Sequence, residues 1–267
     1  MIPYFQWTHI SLGFLTIHVW GLMVALGMLI GLSVAVWATR KRKLSSDVML
    51  NMAFWIILAS LIGSRLIYVL SEYQYYLSTP QAIVKIWEGG LSISGGFMGA
   101  LFAAWLYIRY YRLPFLPYAD VAVFGLPVGL WIGRLGCFFI YDHPGTSTSF
   151  FLGQMYVDGV VRHNHGLYLS LQGAVIAIVF FLLWKLKPSR ISGIYCSLFL
   201  VLYGSTRFVL DFWRASDLPF ADARFLSLTV AQYVSVGMVV IGCLLWYSIH
   251  HSNNYFHATN KKKNNSA

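Results

Sequence analysis

Charge is what this sequence of 267 residues has least of: Asp, Glu, Lys and Arg together make up 10% of it, and only nine residues are acidic. That supply is far too thin for an ordinary soluble domain. Cysteine is also scarce. Cys137, Cys196 and Cys243 all fall in apolar runs without metal-ligand spacing, which excludes a disulfide framework and a zinc site, and no cofactor is called for. No period of about 20 to 50 residues suggests a repeat array. No glycine pattern follows a strand as a nucleotide site would require, and no stretch reads as a soluble catalytic domain. No Lys or Arg precedes the first apolar run, and Arg-Lys-Arg-Lys follows it at 40–43, so residues 1–38 read as a retained span rather than a cleaved signal peptide.

Apolar sequence is what the chain has in abundance: 58% hydrophobic residues and a mean hydropathy of +0.64. An all-α polytopic membrane protein follows, because only self-satisfied backbone crosses hydrocarbon and each crossing needs about 20 apolar residues. Seven stretches qualify, near 16–38, 48–71, 92–108, 119–140, 168–186, 191–212 and 228–249. Twelve Lys and Arg residues follow spans one, three, five and seven, against four on the other face (Lys85, Arg162, Arg214 and Arg224). By the positive-inside rule the amino terminus is outside and the carboxyl terminus cytoplasmic. Residues 1–252 then form a single integral domain with an outer loop at about 141–167, and 253–267, rich in Asn, Lys and His, form a disordered basic tail. The net charge of +10 reflects this topology and attraction to anionic headgroups, with no nucleic-acid partner.

Arginine at membrane depth is the chemically informative feature. Arg65, Arg134 and Arg207 each fall inside a span, where a central Arg costs about 2.5 to 3.5 kcal/mol even on the lenient insertion scale. Each lies a turn or two before the outer end of its span. Guanidinium forks at that level suit the phosphate of an outer-leaflet phospholipid. Snorkelling, or an intrahelical pair of Arg207 with Asp211, is the plainer alternative. Tyr203, Arg207, Asp211 and Arg214, spaced by 4, 4 and 3, share one helical face. The segment WEGGLSISGGFMGA at 87–100 points to a re-entrant loop whose Ser94, Gly95 and Gly96 allow close approach of a ligand; tight helix packing is the competing reading. Asp142-His143-Pro144-Gly145 reads by itself as a turn, although a carboxylate beside a histidine can orient it as a base.

Together these residues resemble the prolipoprotein diacylglyceryl transferases of bacterial inner membranes. The family signature is similar to G-R-x-G-N-F-x-N-x-E-x-x-G, and this chain reads GRLGCFFIYDHPG at 133–145. HVWGLMVALG at 18–27, IGSRLIYVL at 62–70, WEGGLSISGG at 87–96 and LYGSTRFVLDFWR at 202–214 extend the resemblance over most of 15–250. It implies transfer of the diacylglyceryl group of phosphatidylglycerol to the lipobox cysteine of exported lipoprotein precursors, with release of glycerol phosphate. Trp20, Ser94, Cys137, Ile140 and Leu169 stand where the family has Tyr, His, Asn, Asn and Glu. Arg134, Gly145, Tyr203, Arg207 and Arg214 are retained, with acids at 142 and 211.

Arg134 and Arg207 are therefore the expected stabilisers of the leaving phosphate. His143, oriented by Asp142, is the expected base in place of the histidine lost at Ser94, with His18, His163 and His165 as weaker candidates. Trp20, Arg65, Ser94, Gly95, Gly96, Cys137, Gly145, Tyr203, Asp211 and Arg214 complete the expected substrate site. Two other functions remain open at this point: a silent relative that binds anionic lipid or precursor without transfer, and an anion transporter. The transporter would need polar residues through the inner halves of the spans, which spans five and seven lack.

Overall fold

The computed structural model describes residues 1–13, 15–85, 89–186, 191–219 and 221–264. Helices dominate it. Six of them are long and apolar enough to cross a membrane: Val19–Lys41 (α1), Ser46–Ser71 (α2), Phe115–Ile140 (α5), His165–Leu186 (α6), Ile194–Leu210 with the 3-10 turn that follows it (α7), and the first part of Val230–Asn264 (α8). The third expected span forms α4, Ile93–Tyr110, whose glycines, serine and terminal Arg109 dilute its hydropathy below that of the others. A short helix α3 (Tyr73–Ser78) and a 3-10 turn (Pro80–Val84) lie between α2 and α4.

Sequence chemistry explains the helix starts. Ser45 accepts from Val48 N at the start of α2, and Ser92 from Gly95 N at the start of α4. Asn164 accepts from Leu167 N and so caps α6. Gly193 leaves α7 without a side-chain cap of its own; the buried Asp120 of α5 reaches across and accepts from Cys196 N at 2.9 Å, placing negative charge at a helix amino end. Thr229 and Gln232 form a reciprocal box at the start of α8, with Gln232 N donating to Thr229 Oγ1 and Thr229 N to Gln232 Oε1. No proline or glycine interrupts the polar sequence after 252, and α8 continues to Asn264 where composition points to disorder.

The chain divides into two compact units, residues 39–118 and residues 1–38 with 119–267. In the first, α2 and α4 lie backbone to backbone. A Cβ on Gly95 or Gly99 would strike the carbonyl of Gly63 or Ala59, so these glycines serve helix approach without Cβ atoms in the way. Arg65 is enclosed by the turn that precedes α4. Its Nε donates to Ile83 O, Nη1 to Gly89 O and Gly90 O, and Nη2 to Ala82 O and Lys85 O, at 2.6 to 3.3 Å. Gly89 and Gly90 present those carbonyls with φ of 91° and 77°, a conformation that favours glycine.

In the second unit the same small-residue device recurs. A Cβ on Gly27 would lie 2.6 Å from Gly129 O, and one on Gly31 3.1 Å from Gly125 O, so α1 and α5 meet along paired Gly-x-x-x-Gly motifs. The expected loop at 141–167 contains a three-stranded antiparallel sheet, Pro144–Ser147 (β3), Val161–Asn164 (β5) and Gln154–Met155 (β4), in the order β3-β5-β4, and ends in the first turn of α6. A hairpin, His9–Leu12 (β1) with Leu15–His18 (β2), occupies the beginning of the first expected span, so α1 starts only at Val19. Residues 2–7 run along the end of α5 and this sheet: Ile2 N donates to Gly153 O, Trp7 N to Phe139 O and Gln6 Nε2 to Ile140 O. A second hairpin, Arg224–Phe225 (β6) with Leu228–Thr229 (β7), precedes α8.

Arg162 clasps this sheet. Its guanidinium, 5% exposed, reaches Asp158 Oδ2 at 2.9 Å and Asp217 Oδ2 at 2.8 Å, and donates to Gly145 O. Hydrogen bonding from Val160 N and then from Arg162 lowers the Asp158 carboxyl, and Arg162 lowers that of Asp217. Burial lowers His163 in the same sheet. All three groups are depressed in the folded state, so their contribution to stability is present at neutral pH and lost as pH falls. Protection factors over 144–164, amide exchange corrected for its own pH dependence, should therefore fall first below about pH 6.5, as the unfolded sheet takes up the His163 proton, and again below about pH 4 with the two carboxylates. His163→Asn should abolish the first step alone. A second expectation concerns α2 and α4: Gly99→Ala should lower the unfolding temperature in detergent, since an overpacked backbone contact costs about 1 to 3 kcal/mol.

Candidate functional site

Asp211, fully buried, sits at the turn from α7 into the 3-10 segment Asp211–Trp213. An ionised carboxylate there needs partners, and it has them from three directions. Arg207 Nη2 lies 3.1 Å from Oδ1 and Arg214 Nη1 4.0 Å from it, while the Thr229 hydroxyl donates a very short hydrogen bond to Oδ2. The intrahelical Arg207–Asp211 pair thus forms. The polar ladder read from the sequence holds as proximity, although α7 ends at Leu210 and Arg214 is already extended. Tyr203, one turn earlier, stacks on Phe199 and accepts at its backbone carbonyl from Gln172 of α6.

Arg214 is also held from outside the helix. Its Nε lies 2.7 Å from Asp222 Oδ2, and its carbonyl accepts from Arg224. Gly145 forms a bridge with Arg214, and a Cβ at Gly145 would strike Trp213 O and His163. The glycine that ends the signature therefore lets β3 lie against the segment carrying Arg214, where any side chain would push the two apart.

The signature arginine is differently placed. Arg134, in the last turns of α5, is half-buried, and its one hydrogen bond among the described residues is to Cys137 Sγ at 3.8 Å. No carboxylate among the described residues pairs with it. It is close enough to Arg207 to repel it electrostatically. Trp20 of α1 packs against this turn of α5 beside Cys137, so both residues that depart from the family pattern here line the surroundings of Arg134. Among the described residues, Asp211 pairs with Arg207 and Arg214 and Asp222 with Arg214, while Arg134 has no such partner.

Asp142 and His143 follow α5. Asp142 Oδ1 lies 2.7 Å from His143 Nδ1, each side chain about one-third exposed. The approach is off the line of the ring nitrogen, so the contact is one of charge and dipole rather than a well-aligned hydrogen bond. It leaves Nε2 of an accessible imidazole facing outward from the pair. Adjacent residues do make contact here because Tyr141 takes a left-handed conformation (φ 47°) and ends the helix.

Several expected residues do other work. Arg65 has five N–H donors, and all five are spent on backbone carbonyls, so its guanidinium holds the turn before α4 and is not open to a headgroup. Gly95 packs against Gly63 and Ile67, and Gly96 against Ser60, which is the helix-packing role and not a ligand cradle. The Ser94 hydroxyl bonds that of Ser92, the cap of α4. Trp87 and Glu88 of the glycine segment lie outside the described residues.

His165 is expected from sequence only as a weaker candidate base in the outer loop. In the structure it is the first residue of α6, entirely buried, with Nε2 2.8 Å from Arg207 Nη1 and 3.5 Å from Asp211 Oδ1. Thr229 and Asp222 were passed over as well; the Thr-x-x-Gln pattern at 229–232 was the available signal that Thr229 opens a helix.

The family model described as prolipoprotein diacylglyceryl transferase matches residues 8–248. Among curated relatives, the phosphatidylglycerol–prolipoprotein diacylglyceryl transferase of Legionella pneumophila (strain Paris) is 35% identical over 246 residues, covering 89% of this chain and 94% of its own. Those of Clostridium perfringens (strain 13 / Type A) and Methylobacillus flagellatus are each 32% identical, covering 87% and 91% of this chain and 90% and 96% of theirs. With its signature arginine on α5 and its second arginine anchored to a buried acid on α7, this chain belongs to the prolipoprotein diacylglyceryl transferase family.

Proposed function

We propose that this chain transfers the diacylglyceryl group of phosphatidylglycerol to the lipobox cysteine thiol of a lipoprotein precursor, in the bacterial inner membrane, with its amino terminus outside. The observation that carries the reading is Arg134: a guanidinium in the last turns of an apolar helix, beside two further arginines, without a carboxylate of its own among the described residues. Such a cluster repels itself until an anion enters, and a planar fork matches phosphate oxygens. The lateral sources of that anion in a bilayer are phospholipid headgroups. The names of the relatives supply the rest, phosphatidylglycerol as donor and a prolipoprotein as acceptor.

The chemistry assigns roles in this reading. A precursor thiol gives its proton to His143 Nε2, with the Asp142 carboxylate beside Nδ1. The thiolate sulfur attacks the glyceryl carbon, an S–C bond forms, and the C–O bond to phosphate breaks with its electron pair staying on oxygen. Arg134 and Arg207 meet the charge that gathers on the departing glycerol phosphate. Asp211 holds Arg207 in place, Arg214 adds a further positive charge at the same acid, Tyr203 lines the same face, and Trp20 and Cys137 stand beside Arg134.

Two substitutions test these roles in cells depleted of their resident transferase, read as diacylglycerol gained by a reporter lipoprotein. His143→Ala should cut turnover about a hundredfold or more, the usual contribution of a positioned base; full activity would remove His143 from the reaction. Arg134→Lys keeps the charge and loses the fork, so it should insert normally and retain about one-hundredth of the activity or less. Unchanged turnover would take Arg134 out of the phosphate site. Failure of the parent chain itself to lipidate the reporter, despite good membrane expression, would favour a relative that binds without transferring.

A further inference from the structure

His165 is the one imidazole in this site that solvent does not reach, and its contacts fix its chemical state. Asn164 caps α6 and sets the helix start, so the next residue projects from the first turn. Its backbone N–H donates to His143 O at 3.2 Å, which ties α6 to the end of the signature. Its side chain is 0% exposed, and Nε2 faces Arg207 Nη1 at 2.8 Å and Asp211 Oδ1 at 3.5 Å.

These two contacts demand opposite protonation of the same nitrogen. Guanidinium nitrogens only donate, so a 2.8 Å approach requires an unprotonated Nε2 that accepts. The 3.5 Å separation from Asp211 is too long to outweigh a donor-donor clash at 2.8 Å. The proton therefore sits on Nδ1, which is buried without an acceptor among the described residues, and the ring is neutral, with the charged groups Arg207, Arg214 and Asp211 around it.

A neutral acceptor does something for Arg207 that a carboxylate cannot. Asp211 already engages Nη2 and cancels much of one positive charge. A second carboxylate at Nη1 would fix the guanidinium equally well and leave little charge for an anion. Imidazole fixes the orientation of Nη1 through a hydrogen bond and leaves the charge in place. We propose that His165 is a positioning residue for the transfer, holding the Arg207 guanidinium at a second nitrogen through a neutral Nε2 acceptor and so preserving the positive charge that meets the phosphate. The proposal rests on the reading of Arg207 as a phosphate ligand. It departs from the sequence expectation, in which His165 was a minor alternative as the base: a fully enclosed nitrogen already accepting from Arg207 has no access to an incoming thiol.

The test uses purified full-length protein in detergent micelles with phosphatidylglycerol and a lipobox peptide, and compares Ala, Gln and Glu at position 165. His165→Ala should lower kcat at least tenfold with little change in KM for the peptide. His165→Gln, which restores an uncharged acceptor at about the position of Nε2, should recover most of that loss. His165→Glu should orient Arg207 but raise KM for phosphatidylglycerol at least tenfold, the mark of cancelled charge. Unfolding temperatures measured alongside separate this from a packing role, which would make activity follow stability in all three variants.

Wild-type kcat in His165→Ala overturns the proposal, as does His165→Gln no better than His165→Ala at matched stability. Should the alanine variant fail to fold, the contrast between Gln and Glu in KM for phosphatidylglycerol decides, and equal values overturn the proposal. Arg207→Gln run in parallel isolates the underlying reading: activity retained there discards Arg207 as a phosphate ligand, whereas its loss beside a fully active His165→Ala discards only the role of His165.

Discussion

A single carboxylate enclosed by protein governs how the candidate site is put together. Asp211 is completely buried, and an ion so placed is tolerable only if cations and donors surround it. The groups that do so come from α7 itself, from the extended residue beyond it and from the threonine that opens α8. Satisfying one acid therefore brings together the ends of two helices and a hairpin, and the arginines are gathered as a consequence. Removing Asp211 would leave Arg207 and Arg214 facing each other with Asp222 alone to compensate.

Beyond that cluster, the molecule solves the backbone problem of an apolar solvent twice by the same means. Where helices must lie close, glycines at a spacing of four allow it: Gly27 and Gly31 against Gly125 and Gly129, and Gly95 and Gly99 against Ala59 and Gly63. Where the backbone must leave helical form, an arginine gathers the stray carbonyls, as Arg65 does for those of Ala82, Ile83, Lys85, Gly89 and Gly90. The cost of a buried guanidinium is thereby offset against the larger cost of several unpaired carbonyls.

Much of this was legible from the residues, for reasons that can be named. Span positions follow from runs of apolar sequence, and the importance of Arg134 and Arg207 from charge placed where charge is expensive. Arg65 was misread because an arginine looks the same in sequence whether it waits for a phosphate or holds a loop; only the carbonyls around it distinguish the two. Gly95 and Gly96 were misread for the same reason, since approach by a helix and approach by a ligand both require the absence of a Cβ. His165 was undervalued because a polar run before a helix resembles a loop, and the capping role of Asn164, which pulls the next residue inside, depends on its hydrogen bond to Leu167 N. The three-stranded sheet went unseen because its strands are at most four residues long and are stitched by Arg162 rather than by alternating apolar faces.

The first residues of the chain are bonded to positions more than a hundred further along, Gln6 to Ile140 and Ile2 to Gly153. A ribosome delivers residues 2–7 long before their partners exist. That stretch must wait for these partners while five helices (α1 to α5) are made, and it closes over the signature only afterwards. Assembly of this face is thus ordered by the chain itself, the first residues made pairing only once the signature and the sheet beyond it exist.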